Sequence, residues 1–344
     1  MSKKVDEAPN QSAAATVFAP SRFRVRAPWY GGDLQTLYNF LRRPAIDLGR
    51  WPERRLELAM RDGSGDRLVA KLHEPAEPRR GLVVLVHGLT GCEDSFYIRV
   101  STQYWLSSGY AVLRLNLRGA GPSRPLCRLH YHAGRSADLR DALESLRALA
   151  PQLLNRGIFL VGYSLGANLL IRFLAEEASA FPVVAGACVS APIDLKAAQR
   201  RIMDSRNWIY HRYLLARMRE EALAAPVPLS EDERNAIYSA ASVYDFDDQV
   251  VAPANGFTGA DDYYARCSGL RFLSKIVCPT LAVHAENDPW IPAESYRHFD
   301  WTANPALSLA MPRAGGHVGF HAQGSDFTWH DQEIGRFFAL AAAQ

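Results

Sequence analysis

Apolar residues along this chain fall into two kinds of run. In Arg55-Leu56-Glu57-Leu58-Ala59-Met60 and Arg67-Leu68-Val69-Ala70-Lys71-Leu72-His73 they alternate with polar residues, and Asp62-Gly63-Ser64-Gly65-Asp66 lies between. Alternation on both sides of a Gly-rich turn predicts an antiparallel β-hairpin at the edge of a sheet. From residue 82 the pattern changes to a continuous apolar run at 82–86, and further strands are expected at 111–117, 158–161 and 183–189. A strand covered on both faces needs such a run. Helical spacing fills the gaps, at 96–107, at 136–150 and after residue 166. In 136–150, Leu139, Leu143, Leu146 and Leu149 recur on one side, while Asp138, Asp141 and Glu144 take the other.

Strand and helix alternating over short connections predict an α/β fold. Its sheet is mostly parallel and doubly wound, entered by the antiparallel hairpin. The alternation stops near residue 193. Residues 194–272 read as helices and loops without a strong strand, with Ser230-Glu231-Asp232-Glu233 as a helix start. They are expected to form a helical cap insertion over the C-terminal edge of the sheet. Strand logic resumes at 280–285 and 307–311, with helices near 293–299 and 331–340. The expected organisation is a disordered tail at 1–20, a first core part at 21–193, the cap at 194–272 and a second core part at 273–344. Residues 22–50 are expected to be a lead-in that packs on the body.

Candidate chemistry enters at 158–170. The apolar run 158–161 passes into a helix-like run through Gly162-Tyr163-Ser164-Leu165-Gly166, a G-x-S-x-G. A strand that turns directly into a helix bends sharply at one residue, and flanking glycines remove the side chains that would clash there. The bent residue is then presented at the top of the sheet, beside the first free N–H groups of the helix. A serine hydroxyl needs a base, a group that orients the base, and donors for the oxyanion. The loops at the C-terminal strand ends supply candidates in the order Ser164, Asp288, His317. His317 is the expected base, ahead of His321, and Asp288 the expected orienting acid, ahead of Asp194. The oxyanion donors are expected to be the backbone N–H groups of Leu89 and Leu165, with His87 shaping the loop that holds Leu89. Asp245, Asp247, Asp261 and Asp262 are expected to be solvated within the cap.

Composition narrows the partners. A net charge of +3 over 344 residues carries no nucleic-acid footprint. The five cysteines are odd in number and widely spaced without C-x-x-C, which reads as reduced thiols and a cytoplasmic location. No run of 18 apolar residues is present, so no transmembrane segment is expected. His130 and His132 lie near Cys127, but no second cluster completes a metal set. The glycines of Arg118-Gly119-Ala120-Gly121 fit no phosphate loop. Neither a cofactor nor a metal is expected. Trp208, Tyr210 and Tyr213 read as cap packing. Arg200, Arg201, Arg206 and Arg212 read as a solvated face, with an anionic-lipid or anionic-substrate contact as the second reading.

Residues 20–340 resemble one branch of the α/β-hydrolase superfamily, the YheT, EMB8-like and abhydrolase-domain (types one and three) group. The resemblance is carried by Asp247, Gly256-Phe257, Asp262-Tyr263-Tyr264, Ser268, Ile276, Pro279, Leu281, Val283 and Asn287-Asp288 at the spacing of that branch's signature. His87-Gly88-Leu89-Thr90-Gly91, Asn116 with Arg118-Gly119, Gly315-Gly316-His317 and Leu34-Gln35-Thr36 are similar to family motifs as well. Asp33 stands where the family usually has His, and Ala167 where it often has a third Gly. The resemblance implies an α/β-hydrolase fold and a serine hydrolase of carboxylic esters, with small-molecule or lipid substrates and Ser164, Asp288 and His317 as its triad. Acyl transfer or thioester cleavage could use the same residues. A non-catalytic binding module on this scaffold is the alternative of another class, and peripheral membrane contact is compatible with either.

Overall fold

The computed structural model describes residues 18–42, 46–76 and 80–343. Eight strands form one sheet: β1 (Glu53–Ala59), β2 (Arg67–His73), β3 (Leu82–Val86), β4 (Ala111–Leu115), β5 (Ile158–Tyr163), β6 (Val183–Val189), β7 (Thr280–Val283) and β8 (Leu307–Ala310). Their spatial order is β1-β2-β4-β3-β5-β6-β7-β8. The β1–β2 and β2–β4 pairs are antiparallel and every later pair is parallel. In β1 only Leu56 and Leu58 are buried, the one-sided pattern of an edge. In β3, β4 and β5 every residue is buried, β3 and β5 as their apolar runs demand and β4 with Arg114 among its apolar residues. β4 ends two residues before the strand expected at 111–117 does. The Leu117 N–H leaves the ladder to donate to His87 Nε2 at 3.0 Å.

Alternate strand residues feed two cores. Leu82, Val84 and Val86 pack with α3 (Ala137–Leu149) and α4 (Leu165–Glu176). Val83 and Leu85 pack with α2 (Phe96–Ser107) and the closing helix Trp329–Ala341. Helices therefore cover both faces of the sheet. Between β6 and β7 come α5 (Leu195–Met203), α6 (Trp208–Leu223), α7 (Glu231–Ser239) and several shorter turns. Ile202, Leu214, Leu215, Met218, Ile237 and Phe246 give this insertion a small core of its own. Ser230 opens α7 with a capping box, its hydroxyl accepting from Glu233 N–H and the Glu233 carboxylate from Ser230 N–H.

The lead-in contains a helix that its sequence pattern did not announce, α1 (Gly32–Leu41). Asp33 ties this helix to the insertion through Arg206 (2.7 Å) and the Tyr210 hydroxyl (3.1 Å). Of the tail expected at 1–20, residues 1–17 lie outside the described residues. Phe18 is buried edge-on against Phe337, ring centroids 5.3 Å apart. All five cysteines are free thiols. Among the described residues no helix is long and apolar enough to cross a membrane.

Candidate active site

Ser164 is the hinge between β5 and α4, with φ 51° and ψ −122°. An L-residue holds this conformation only where its surroundings impose it. Here the Ser164 N–H donates to Val189 O (2.8 Å), and its carbonyl accepts from Ala167 N–H (2.9 Å) and Asn168 N–H (3.1 Å). The glycines on either side are steric necessities. A Cβ on Gly166 would lie 2.2 Å from His87 O, and one on Gly162 would lie 2.7 Å from Ala167 Cα. Gly88, on the loop after β3, rests against the serine itself, since its Cβ would come within 2.9 Å of Ser164 Cβ.

The loop after β8 brings His317 back over this hinge. His317 Nε2 lies 2.9 Å from Ser164 Oγ, and Nδ1 lies 2.8 Å from Asp288 Oδ2. The other Asp288 oxygen accepts from the Trp290 and Ile291 amides at 2.8 and 3.0 Å. Burial alone would raise the Asp288 carboxyl. The charge and hydrogen bond of His317, with smaller help from His284 and the Trp290 amide, outweigh burial and hold it below the ordinary carboxylate range. The indole of Trp290 stacks on the His317 ring at 4.4 Å.

Several side chains that hold the His317 loop were not singled out from sequence as doing so. Thr36 Oγ1 accepts from His317 N–H (2.8 Å), Asn287 Oδ1 from Gly316 N–H (3.1 Å) and Ser190 Oγ from Val318 N–H (3.1 Å). The Leu34-Gln35-Thr36 resemblance was the available signal for Thr36. Ser190, just after β6, has φ 51°, a position that sequence alone does not mark. His284 is buried, stacked on Tyr296 at 4.0 Å, with Nδ1 4.0 Å from Asp288 Oδ2. Burial pushes its pKa down to about 4, with the Asp288 charge pulling the other way.

The loop 87–91 carries candidate amide donors. His87 Nδ1 donates to Gly88 O (2.8 Å) while Nε2 accepts from Leu117 N–H, and burial lowers its pKa to about 4. Both ring nitrogens are thus committed to shaping the loop. The Gly88 N–H donates to the Tyr97 hydroxyl (2.9 Å) and the Thr90 N–H to the Tyr131 hydroxyl (2.7 Å). Leu89 N–H lies between these two and has no hydrogen-bond partner among the described residues; Leu165 N–H, first in α4, has none either.

Ser164 opens on a cavity of about 600 Å³ beneath the insertion, walled by Leu89, Leu165, Leu195, Leu214, Met218 and Trp290 among others. Of the carboxyl groups that line it, burial raises two to about 7. One is Glu221. The other is Asp247, which corrects the expectation of a solvated residue: Asp247 is buried and its Oδ2 accepts from the Tyr264 hydroxyl at 2.7 Å. Asp261 is exposed, as expected, in an ion pair with Lys196 at 2.9 Å.

The remaining candidates lie elsewhere or serve other ends. Asp194 caps α5, accepting from Ala197 N–H at 3.0 Å. His321 stacks on Tyr38 at 3.6 Å. His130 stacks on Tyr131, and His132 packs against Phe257 and Tyr263. Among the described residues no group of three or more His, Cys, Asp or Glu could hold a metal ion. Tyr210 packs on Trp290, whereas Trp208 and Tyr213 are exposed.

Known proteins share this arrangement of elements. YheT of Escherichia coli (strain K12) is 31% identical over 246 residues, 69% of this chain and 70% of YheT. Phospholipase ABHD3 of Mus musculus is 25% identical over 243 residues, and the chain spans 58% of its length. The structure of the Pyrococcus furiosus esterase Pf2001 superposes with a TM-score of 0.58 over 95% of this chain and 98% of that one, at 17% identity, which shows a common fold. The family model described as Alpha/beta hydrolase family matches residues 83–328, from β3 through the His317 loop. That stretch contains the serine hinge, the helical insertion and the facing histidine in one register, and by it the chain belongs to the alpha/beta hydrolase family.

Proposed function

We propose that the protein is a serine hydrolase of carboxylic esters. One observation carries the reading: the hydrogen-bonded line Asp288–His317–Ser164 stands beside two unpaired amides at the floor of an apolar cavity. His317 Nε2 takes the Ser164 proton as Oγ attacks the acyl carbon. The Leu89 and Leu165 amides receive the oxyanion. Collapse expels the alcohol, which takes the proton from His317, and leaves an acyl-enzyme. Water activated by the same imidazole then releases the acid. Asp288 keeps Nδ1 protonated and the ring oriented, and Trp290 covers the ring face.

The names of ABHD3, a phospholipase, and Pf2001, an esterase, agree with an ester bond as the target. The apolar cavity supports an acyl chain rather than a charged group on that side of the bond. The five free thiols support a reducing compartment, the cytoplasm. A fluorophosphonate probe is expected to label the wild type and not Ser164→Ala, and a series of p-nitrophenyl esters from acetate to palmitate, with phospholipids alongside, reads the acyl preference. Folded wild-type protein that takes up no probe would refute the hydrolase reading.

A further inference from the structure

Leu89 N–H can serve as an oxyanion donor only if its loop is held against relaxation. Thr90, the next residue, sits at φ 56°, a left-handed conformation unfavourable to a β-branched side chain. Its amide is kept in place by the Tyr131 hydroxyl at 2.7 Å. That oxygen acts as acceptor, so the phenolic hydrogen must go elsewhere, and it goes to Glu221 Oε2 at 3.0 Å. Tyr131 is otherwise fixed: its N–H donates to Arg118 O (2.8 Å) and its ring stands edge-on to His87 (6.0 Å). Glu221 belongs to α6 of the insertion, ninety positions along the chain.

We propose that Glu221 is a positioning residue for the oxyanion loop, acting through Tyr131 on the Thr90 amide, so that the cap completes the catalytic geometry of the core. The inference rests on the ester-hydrolase reading above and names a residue which that reading does not use. Ionised Glu221 offers only acceptors and thereby orients the phenol. A protonated carboxyl competes as a donor and leaves the phenolic hydrogen without its partner. Burial raises Glu221 to about 7, opposed by the Tyr131 hydrogen bond and by Arg217 and Arg124, with Glu220 adding to the rise. His130 Nε2 faces it at 3.7 Å. The ordering of the loop therefore weakens as pH falls through neutrality.

The test is steady-state hydrolysis of p-nitrophenyl butyrate by the full chain as wild type, Ser164→Ala, Glu221→Ala, Glu221→Gln and Tyr131→Phe. Glu221→Ala is expected to lose about 10-fold in kcat, a fraction of what deleting a whole oxyanion donor costs, with KM held within about 2-fold. Glu221→Gln, whose amide can donate as well as accept and so mimics the protonated acid, is expected to show at every pH the reduced kcat that the wild type reaches once Glu221 is protonated. In the wild type kcat falls by an extra amount, up to about 10-fold, as pH drops through neutrality and Glu221 takes its proton; in Glu221→Gln this extra fall is absent. Tyr131→Phe is expected to fall at least as far as Glu221→Ala. Wild-type kcat in Glu221→Ala, a change in KM alone, or an unchanged acid limb in Glu221→Gln would overturn the proposal. The isosteric Gln variant carries the pH test by itself if the Ala variant does not fold. Turnover that survives Ser164→Ala would instead remove the triad reading beneath it.

Discussion

Asp247 offers a sharp test of how the cap is held together. Its carboxyl is buried against the cavity and bonded to the Tyr264 hydroxyl at 2.7 Å. Burial raises its pKa from 3.8 to about 7, with the tyrosine hydrogen bond pulling the other way. Between these two values the folded protein keeps a proton that the unfolded chain has lost. Stability is therefore complete below the unfolded value, declines as pH rises towards 7 and is level above it. At about 1.4 kcal/mol per unit, a shift of about three units amounts to about 4 kcal/mol by pH 8. Asp247→Asn cannot ionise and lacks this decline. Urea unfolding of both proteins from pH 5 to 8.5 measures it, read as the difference in stability between variant and wild type. That difference should climb by about 1.4 kcal/mol per pH unit up to neutrality and then flatten. Glu221 and Asp331, raised to about 7 and about 6 by burial, are present in both proteins and drop out of the difference, as does any constant effect of the amide. Parallel stability curves across this range would show that Asp247 ionises normally in the folded state and refute the reasoning.

Asp288→Asn should leave the fold intact and lower kcat about 10⁴-fold by permitting the wrong imidazole tautomer, whereas Asp194→Ala should cost about 1 kcal/mol of helix capping in a melting experiment with kcat unchanged. If Asp194→Ala abolishes turnover and Asp288→Asn does not, the acid has been misassigned. Arg118 is fully buried, with two bonds to Asp138 (2.9 and 2.7 Å) and one each to Asp66 (2.9 Å) and Asp62 (3.0 Å). Arg118→Met should destabilise by about 3–5 kcal/mol in urea because buried Asp66 loses its counter-charge and buried Asp138 keeps only Arg135, and a loss under about 1 kcal/mol would contradict that account. Gly166→Ala should fail to give soluble, two-state protein, since its Cβ meets the His87 carbonyl at 2.2 Å and neither backbone can yield. A well-folded Gly166→Ala with normal turnover would show that the elbow tolerates what its geometry forbids.

What could be read from the chain was what short-range physics dictates. A strand covered on both faces is mostly apolar, so β3, β5 and β6 appear as apolar runs. A hinge at φ 51° cannot tolerate side chains beside it, so Gly162 and Gly166 advertise Ser164. The loops bearing Asp288 and His317 follow strands, and strand order in a parallel sheet sends them to the same edge. The resemblance supplied what periodicity could not, placing Asp247, Tyr264 and Thr36 in signatures without saying what they touch. In α1 the apolar positions are interleaved with Gln35, Thr36 and Asn39, which are buried because they serve the His317 loop rather than a greasy face. A helix whose inward side is polar for that reason escapes a hydrophobic-period reading.

Asp247 escaped for a related reason. An acidic residue in a helical segment reads as solvated unless its partner is known, and Tyr264 lies 17 positions away. The contacts that complete the site are longer still: Thr36 to His317 spans 281 positions, Ser190 to Val318 spans 128, and Glu221 to Tyr131 spans 90. Each joins a segment with no chemistry of its own to one that has it. The insertion is therefore more than a roof over the cavity. Through Arg206 and Tyr210 it grips Asp33 on the helix that carries Thr36, and through Glu221 it reaches the loop of Leu89. The histidine loop and the oxyanion loop are thus each one hydrogen-bonded relay away from the cap, so a substitution in the cap can change turnover without touching Ser164, Asp288 or His317.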